Sequence, residues 1–519
     1  MSGPTQPGRS VTGRLALAVL LLPSLVGILL VLATTDRGAG VTPDSVYYLA
    51  AARNLLDGHG LSRFADAEGR YEPIVNWPPL YPLVLAAVGA TGLDVLVAAR
   101  WLSAALLGGT AFLVGLMVRR LCGGAWLAIV AALLTAVAID MVKVHAMAWS
   151  EPPCIFFGLL GLLLIDRHIE RPRRGLLVAG ALSLACAFLA RYAGLAYAAA
   201  GGLALLTLAR KRFSARLADL LVLVVAAGVP MAAALVRNMV EASSATGRAF
   251  SLSPASVHER VHDALDTVTI WLFPEVVRWV VRLVLVGLVV VGGTAWYVRL
   301  RGRARAEGRV RPETPVSSLP VVLLMFVVLY LALVLAYISF IFHLTPLDYR
   351  ILSPVFPPVV VLAFWLVGRG VRSARRARLA GVACGVVCAI LSAVYLARAV
   401  LLVGDLRRAG LGYGRAEWVR SNVMQHVREL AADRLIYSNA PDAVYYFTER
   451  GASFVPKRGA SAAELNALRA RLEASHGVVV YFTNATQSRF MPPDEIAERL
   501  HLDVLVTTSD GVIYELAHE

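Results

Sequence analysis

Thr42-Pro43-Asp44-Ser45-Val46-Tyr47-Tyr48, followed later by Trp77-Pro78-Pro79-Leu80-Tyr81-Pro82, stands between the first two apolar runs of a 519-residue chain. Between the two segments lie Asn54-Leu55-Leu56-Asp57-Gly58 and the glycine-rich break Asp57-Gly58-His59-Gly60. The whole connection, 34–94, is far longer than the roughly 4–6 residues that usually join two elements, which marks it as a functional loop. Asp44 comes just after a run long enough to cross hydrocarbon as a helix. An ionisable group at a membrane boundary is a functional candidate by default.

Hydrophobic residues make up 58% of the chain and charged residues only 16%. The apolar residues fall in runs of about 20, a length that fits spanning helices. Runs at 15–33, 95–118, 126–140, 152–165, two within 175–209, 217–236, 274–300, 319–342, 354–367 and 379–403 give about eleven transmembrane helices. The first run reads as a retained span rather than a cleaved signal. The formal net charge is +15. Its cations cluster in alternate short loops, such as Arg119-Arg120 and Arg210-Lys211-Arg212, which is the positive-inside pattern. The charge therefore reads as topology and as contact with anionic membrane lipids, not as a nucleic-acid surface. The N-terminus is expected in the cytoplasm, with the mixed and acidic loops outside a multi-pass cell (plasma) membrane protein. Five cysteines lie in or beside the apolar runs, with neither metal-type spacing nor a disulfide framework.

From residue 404 the sequence changes character. An amphipathic helix is expected over 415–433 and strands at 434–438, 477–482, 503–508 and 512–516. Helices are expected after Asn439 and over 460–475. This alternation predicts a small extracytoplasmic α/β domain over 404–519, beside a transmembrane module over 1–403.

Several side chains could carry chemistry, each with a plainer reading beside it. Asp44 sits behind Thr42 and Pro43, as a helix-start residue would; it also stands where a lipid phosphate would lie. Glu151 opens the fourth span between Ser150 and Pro152-Pro153, as a dipole-facing acid or as a second functional acid and metal ligand. Lys143 and His145 are close by in sequence. Asp348 and Arg350 lead into a late span, and a planar guanidinium suits two phosphate oxygens. Arg191 interrupts an apolar stretch in the same way. Tyr48 reads as an interface anchor; Trp77 and Tyr81 read as sugar-stacking groups or as further anchors. Asn439 and Asp442 follow a strand, where α/β folds bind ligands, but a turn and a helix cap account for them equally. His258-Glu259-Arg260-Val261-His262 matches a zinc-protease motif, with Asp266 the nearby third ligand. Val257, Val261, Leu265 and Val268 recur at helical spacing, so the same stretch also reads as one face of a surface helix.

The segments around Asp44, Asn54, Trp77 and Glu151 resemble GT-C-fold membrane glycosyltransferases. They are similar to the dolichyl-phosphate-mannose–protein mannosyltransferase family and its bacterial relatives. The resemblance spans about 15–403 and is clearest in the first 160 residues. It implies an inverting transfer from a polyprenyl-phosphate sugar to an acceptor hydroxyl on the outer face. It further implies Asp44 as the catalytic acid of the first loop, Glu151 as the acid of the fourth span, and Arg350 as the late basic residue. Lys143 and Arg191 would assist Arg350 at the donor phosphate, and Tyr48, Trp77, Tyr81 and Asp348 would contact substrate. Several relatives carry two adjacent acids where this chain has Asp44-Ser45, so a divalent cation is left open as a cofactor. The acceptor, whether glycan, lipid or protein, is not specified by these residues. Two other classes stand against this reading. A transporter or flippase would show paired, interrupted repeats, and a membrane zinc metalloprotease would use His258 and His262.

Overall fold

The computed structural model describes residues 17–248, 257–273, 277–288, 291, 292, 295, 317–341, 346–373, 377–485 and 489–517. The chain divides into two compact units. The first holds Met1–Thr34, Val75–Tyr81 and Arg100–Asp405; the second holds Thr35–Ile74, Pro82–Ala99 and Leu406–Glu519.

The first unit is helical because a spanning backbone must satisfy its own hydrogen bonds. Among the described residues six helices are long and apolar enough to cross a membrane. They are Leu17–Thr34, Val95–Cys122, Glu151–Glu170, Phe213–Ala242, Leu319–Phe340 and Arg378–Ala409. Ala125–Val137 and Ile139–Ala146, bent by 51°, make a seventh when taken together. The sequence expectation of about eleven spans also counted further apolar helices, among them Arg174–Ala190, Leu195–Leu208 and Phe356–Ser373. Of its eighth span, 274–300, residues 277–288, 291, 292 and 295 are described, with a shorter apolar helix over Trp279–Leu288.

Two breaks place polar side chains inside this unit. Ala138 leaves helical geometry at φ −63°, ψ 126°, so a new helix begins just ahead of the buried Asp140. Arg191 is extended at φ −150°, ψ 137° and ends Arg174–Ala190. A 3-10 turn over Tyr192–Gly194 then restarts the chain as Leu195–Leu208. Gly194 packs so tightly that a Cβ there would lie 2.3 Å from the Ala187 carbonyl oxygen. At one end of Glu151–Glu170, Arg120 pairs with the buried Asp166 at 2.9 Å and with Glu170 at 2.5 Å. A buried carboxylate needs such a partner.

The second unit combines the loop around Asp44 with the C-terminal segment. Its five strands are β1 (Ile436–Ser438), β2 (Ser453–Phe454), β3 (Val478–Phe482), β4 (Leu502–Thr508) and β5 (Gly511–Leu516). They form one sheet in the order β2-β1-β3-β5-β4. β1 runs parallel to β2 and β3, while β5 is antiparallel to β3 and β4. All five residues of β3 are buried, as expected for a central strand. Leu465, Leu468 and Leu472 of helix Ala462–Ala474 pack with Tyr437, Val479, Tyr481 and Tyr514 in the core. Ser461 starts that helix with a full capping box to Glu464.

Where 415–433 suggested one amphipathic helix, the chain forms two, Ala416–Val419 and Asn422–Glu429. The cause is local: Ser421 is extended, and its hydroxyl accepts from the Met424 N–H at 3.1 Å, so it begins a helix of its own. β2 and helix Pro493–Leu500 are further elements that the periodicity did not indicate.

The first-loop residues are woven into the same unit. The Phe64 ring stacks on Tyr445 at 5.0 Å and meets Tyr47 at 5.1 Å. The Tyr437 hydroxyl donates to Glu68 at 2.9 Å, and the Ala67 N–H donates to the Ser453 hydroxyl at 3.0 Å. Asn54 donates to the Ser62 carbonyl and hydroxyl and to the Arg63 carbonyl, at 2.8 to 3.2 Å. That pins the turn after Asp57-Gly58.

Candidate active site

Asp44 lies in the first turn of helix Pro43–Leu56 in the second unit. Thr42 precedes it in extended geometry, and Pro43 supplies the fixed φ that suits a helix start. Ser45 is fully buried, and its hydroxyl is 3.1 Å from that of Thr42. Asp44 itself is half-buried. Tyr48, one turn later, is 1% exposed and belongs to the interior.

The first unit gathers the other candidates. Glu151 is 1% exposed at the start of its helix. Its Oε1 accepts from Arg191 Nη1 at 2.6 Å and from Arg350 Nε. One buried carboxylate therefore faces two guanidinium groups. Removing one member of a buried charge group costs about 3–5 kcal/mol, so Glu151 is a structural anchor for both arginines. The Arg350 guanidinium carbon stands 4.1 Å from the centre of the Trp149 ring, and the Lys143 ammonium 5.3 Å from that of Tyr349. Both are cation–π geometries. The Asp348 carboxylate caps the short helix Tyr349–Leu352 by accepting from the Arg350 and Ile351 N–H groups at 3.0 and 3.1 Å. Tyr330 donates to the Ile351 carbonyl at 2.6 Å, which braces the same turn from helix Leu319–Phe340. Lys143, Glu151, Arg191, Asp348 and Arg350 therefore come from four separated segments and converge, with the helix breaks at Ala138 and Arg191 supplying two of them.

Trp77 and Tyr81 also belong to the first unit. Trp77 is half-buried and Tyr81 fully buried. The Tyr192 hydroxyl donates to the Val75 carbonyl at 2.8 Å, and Asn238 donates to that hydroxyl at 3.0 Å. This fastens the Trp77 segment to the residue that follows Arg191. Trp149, Tyr349 and Tyr330 were given no role from the sequence. Among many aromatic residues in apolar surroundings, nothing singled them out.

Among the described residues no group of three His, Cys, Asp or Glu side chains could hold a metal ion. The side chains of His258 and Glu259 lie outside the described residues. The His262 ring meets the Trp279 ring edge-on at 4.6 Å, and the Asp266 carboxylate accepts from Arg282. Helix Val257–Leu272 carries these side chains.

Residues 87–244 match the model of the dolichyl-phosphate-mannose-protein mannosyltransferase family. A crystal structure of ArnT from Cupriavidus metallidurans in the apo state aligns at a TM-score of 0.55 and 14% identity, covering 98% of both chains. Archaeal oligosaccharyltransferase AglB from Archaeoglobus fulgidus, in complex with an inhibitory peptide and a dolichol-phosphate, aligns at a TM-score of 0.56 and 13% identity. That alignment covers 91% of this chain and 70% of AglB. No curated protein matches in sequence. The fold is therefore that of the GT-C membrane proteins. The family match covers residues 87–244, and the long apolar helices mark a multi-pass membrane protein.

Proposed function

We propose that the protein is an inverting glycosyltransferase that moves a sugar from a polyprenyl-phosphate donor to an acceptor hydroxyl on the outer face of the membrane. The observation that carries this reading is the pair of guanidiniums, Arg191 and Arg350, gathered on the buried carboxylate of Glu151. Positive charge outnumbers negative at that carboxylate, and a phosphate monoanion or dianion is the ligand such a group favours. The dolichol-phosphate in the AglB structure supports the donor class.

In this reading Asp44 accepts the proton of the attacking hydroxyl as its oxygen bonds to the anomeric carbon. The bond from that carbon to the phosphate oxygen breaks in the same displacement, so the configuration inverts. The polyprenyl phosphate leaves with its charge held by Arg350 and Arg191, assisted by Lys143, in a setting of low dielectric where such charges act strongly. Trp77 offers a half-exposed ring for the sugar, and Asp348 orients the Arg350 backbone. A divalent cation stays a proposal without a ligand cage, and no step is routed through it. We further assign about eleven spans, a cytoplasmic N-terminus and an extracytoplasmic C-terminal segment, from the alternation of basic loops.

The test is turnover by the purified protein of a panel of polyprenyl-phosphate sugars with glycan, lipid and peptide acceptors. Release of polyprenyl phosphate and a product of inverted anomeric configuration are expected. A retained configuration, or use of nucleotide sugars alone, would overturn the reading.

A further inference from the structure

The segment leading into the Asp44 helix is fastened by a residue far away in sequence. Val41, three residues before Asp44, forms a bridge to Gly412, and its carbonyl accepts from the Tyr413 N–H at 2.8 Å. Gly412 makes this approach possible: its φ is +55°, and a Cβ there would lie 1.9 Å from the Val41 oxygen. Tyr413 is 5% exposed, its ring held edge-on by Trp418 at 4.9 Å and flanked by Tyr446 at 5.8 Å. Its hydroxyl donates to the Asp442 carboxylate. Asp442 is itself buried in the first turn of helix Pro441–Thr448, which packs on helix Pro43–Leu56. Burial raises the Asp442 carboxyl above its ordinary range, the Tyr413 bond opposes that, and the Asp44 charge adds to the rise. The Asp44 charge therefore reaches Asp442 across this packing.

We propose that Tyr413 and Asp442 are positioning residues for Asp44. The Tyr413 backbone holds the Val41 carbonyl, and the hydroxyl bound to Asp442 locks Tyr413 in place, so the C-terminal segment sets where the first-loop carboxylate stands. The inference rests on Asp44 being the base. A reacting group displaced by about 1 Å loses roughly a hundredfold in rate, so a loosened lock is read in turnover rather than in donor affinity.

The experiment compares kcat and donor KM in the full-length protein carrying Asp44→Asn, Tyr413→Phe, Asp442→Asn, Asp442→Ala, or Asp44→Asn with Tyr413→Phe. Tyr413→Phe is expected to lower kcat by about ten- to a hundredfold with donor KM unchanged. Asp442→Asn keeps an acceptor for the hydroxyl and is expected to retain most of the turnover that Asp442→Ala loses. The double variant should be no slower than Asp44→Asn alone, because the lock acts through Asp44. Normal kcat in Tyr413→Phe, or a loss in Asp442→Asn as deep as in Asp442→Ala, would overturn the positioning role. Normal turnover in Asp44→Asn would instead remove the base on which it rests, so the two failures are distinct.

Discussion

Arg350 does two things at once: its Nε bonds Glu151, and its planar face lies over Trp149. A lysine keeps the charge but has neither the fork nor the flat face. Charged hydrogen bonds contribute about 1.5–3 kcal/mol each, so Arg350→Lys should weaken donor binding about tenfold or more. Titrating a polyprenyl-phosphate against both proteins checks this, and equal affinity would remove Arg350 from the donor site. Asp442 makes a second prediction at this scale. Its carboxyl is pushed up by burial, so the folded protein holds that proton to higher pH than the unfolded chain does. The group thus costs no stability below the ordinary carboxylate range and costs progressively more as pH rises through its folded value. Asp442→Asn should raise the melting temperature at pH 7, with the gain fading near pH 4. An equal gain at both would contradict the assignment. Arg191 was legible in the sequence as a cation interrupting an apolar stretch, and Glu151 and Arg350 as charged groups at the starts of spans. Their convergence was not, because it depends on packing between segments up to 199 residues apart.

Breaks in helices, more than the helices themselves, set the positions of the charged groups. The apolar stretch 175–209 was too long for one span, and that length alone indicated a turn at Arg191. What the sequence did not show is how tightly the turn closes against Ala187. Gly194→Ala should force the turn open, since the added carbon would meet the Ala187 carbonyl oxygen at 2.3 Å with only backbone to yield. The Arg191 contact to Glu151 would move with it. We expect a lower melting temperature and weaker donor binding together; a fall in melting temperature with donor binding intact would separate the turn from the site. In the C-terminal segment the strands with clear alternation and buried runs were legible, whereas the two-residue β2 was not. A strand that short has no periodicity to read and is placed only by its pairing with β1. Ser421 is a comparable case: the 415–433 pattern is helical throughout, and only the cap bond splits it.

At the scale of the whole molecule, the membrane class followed from composition, and the GT-C character from a few motifs around Asp44 and Glu151. The joining of the first loop with the C-terminal segment into one compact unit did not follow. It is built from single long-range contacts such as Val41 with Gly412, Ala67 with Ser453 and Phe64 with Tyr445, which leave no local pattern. That arrangement gives the C-terminal segment a direct bearing on the loop that carries Asp44. It also makes Asp44 the point on which the account turns. Asp44→Asn keeps the shape of the side chain but cannot accept a proton, and a general base contributes about 10²–10⁴-fold. As a helix-start residue the same charge is worth only about 0.3–1 kcal/mol, so the protein should fold. The decisive measurement is the transfer rate of folded Asp44→Asn with saturating donor, alongside its donor affinity. Unchanged donor affinity and a rate lowered by about 10²–10⁴-fold are expected. A near-normal rate in that protein would contradict this and return Asp44 to the role of a helix-start residue.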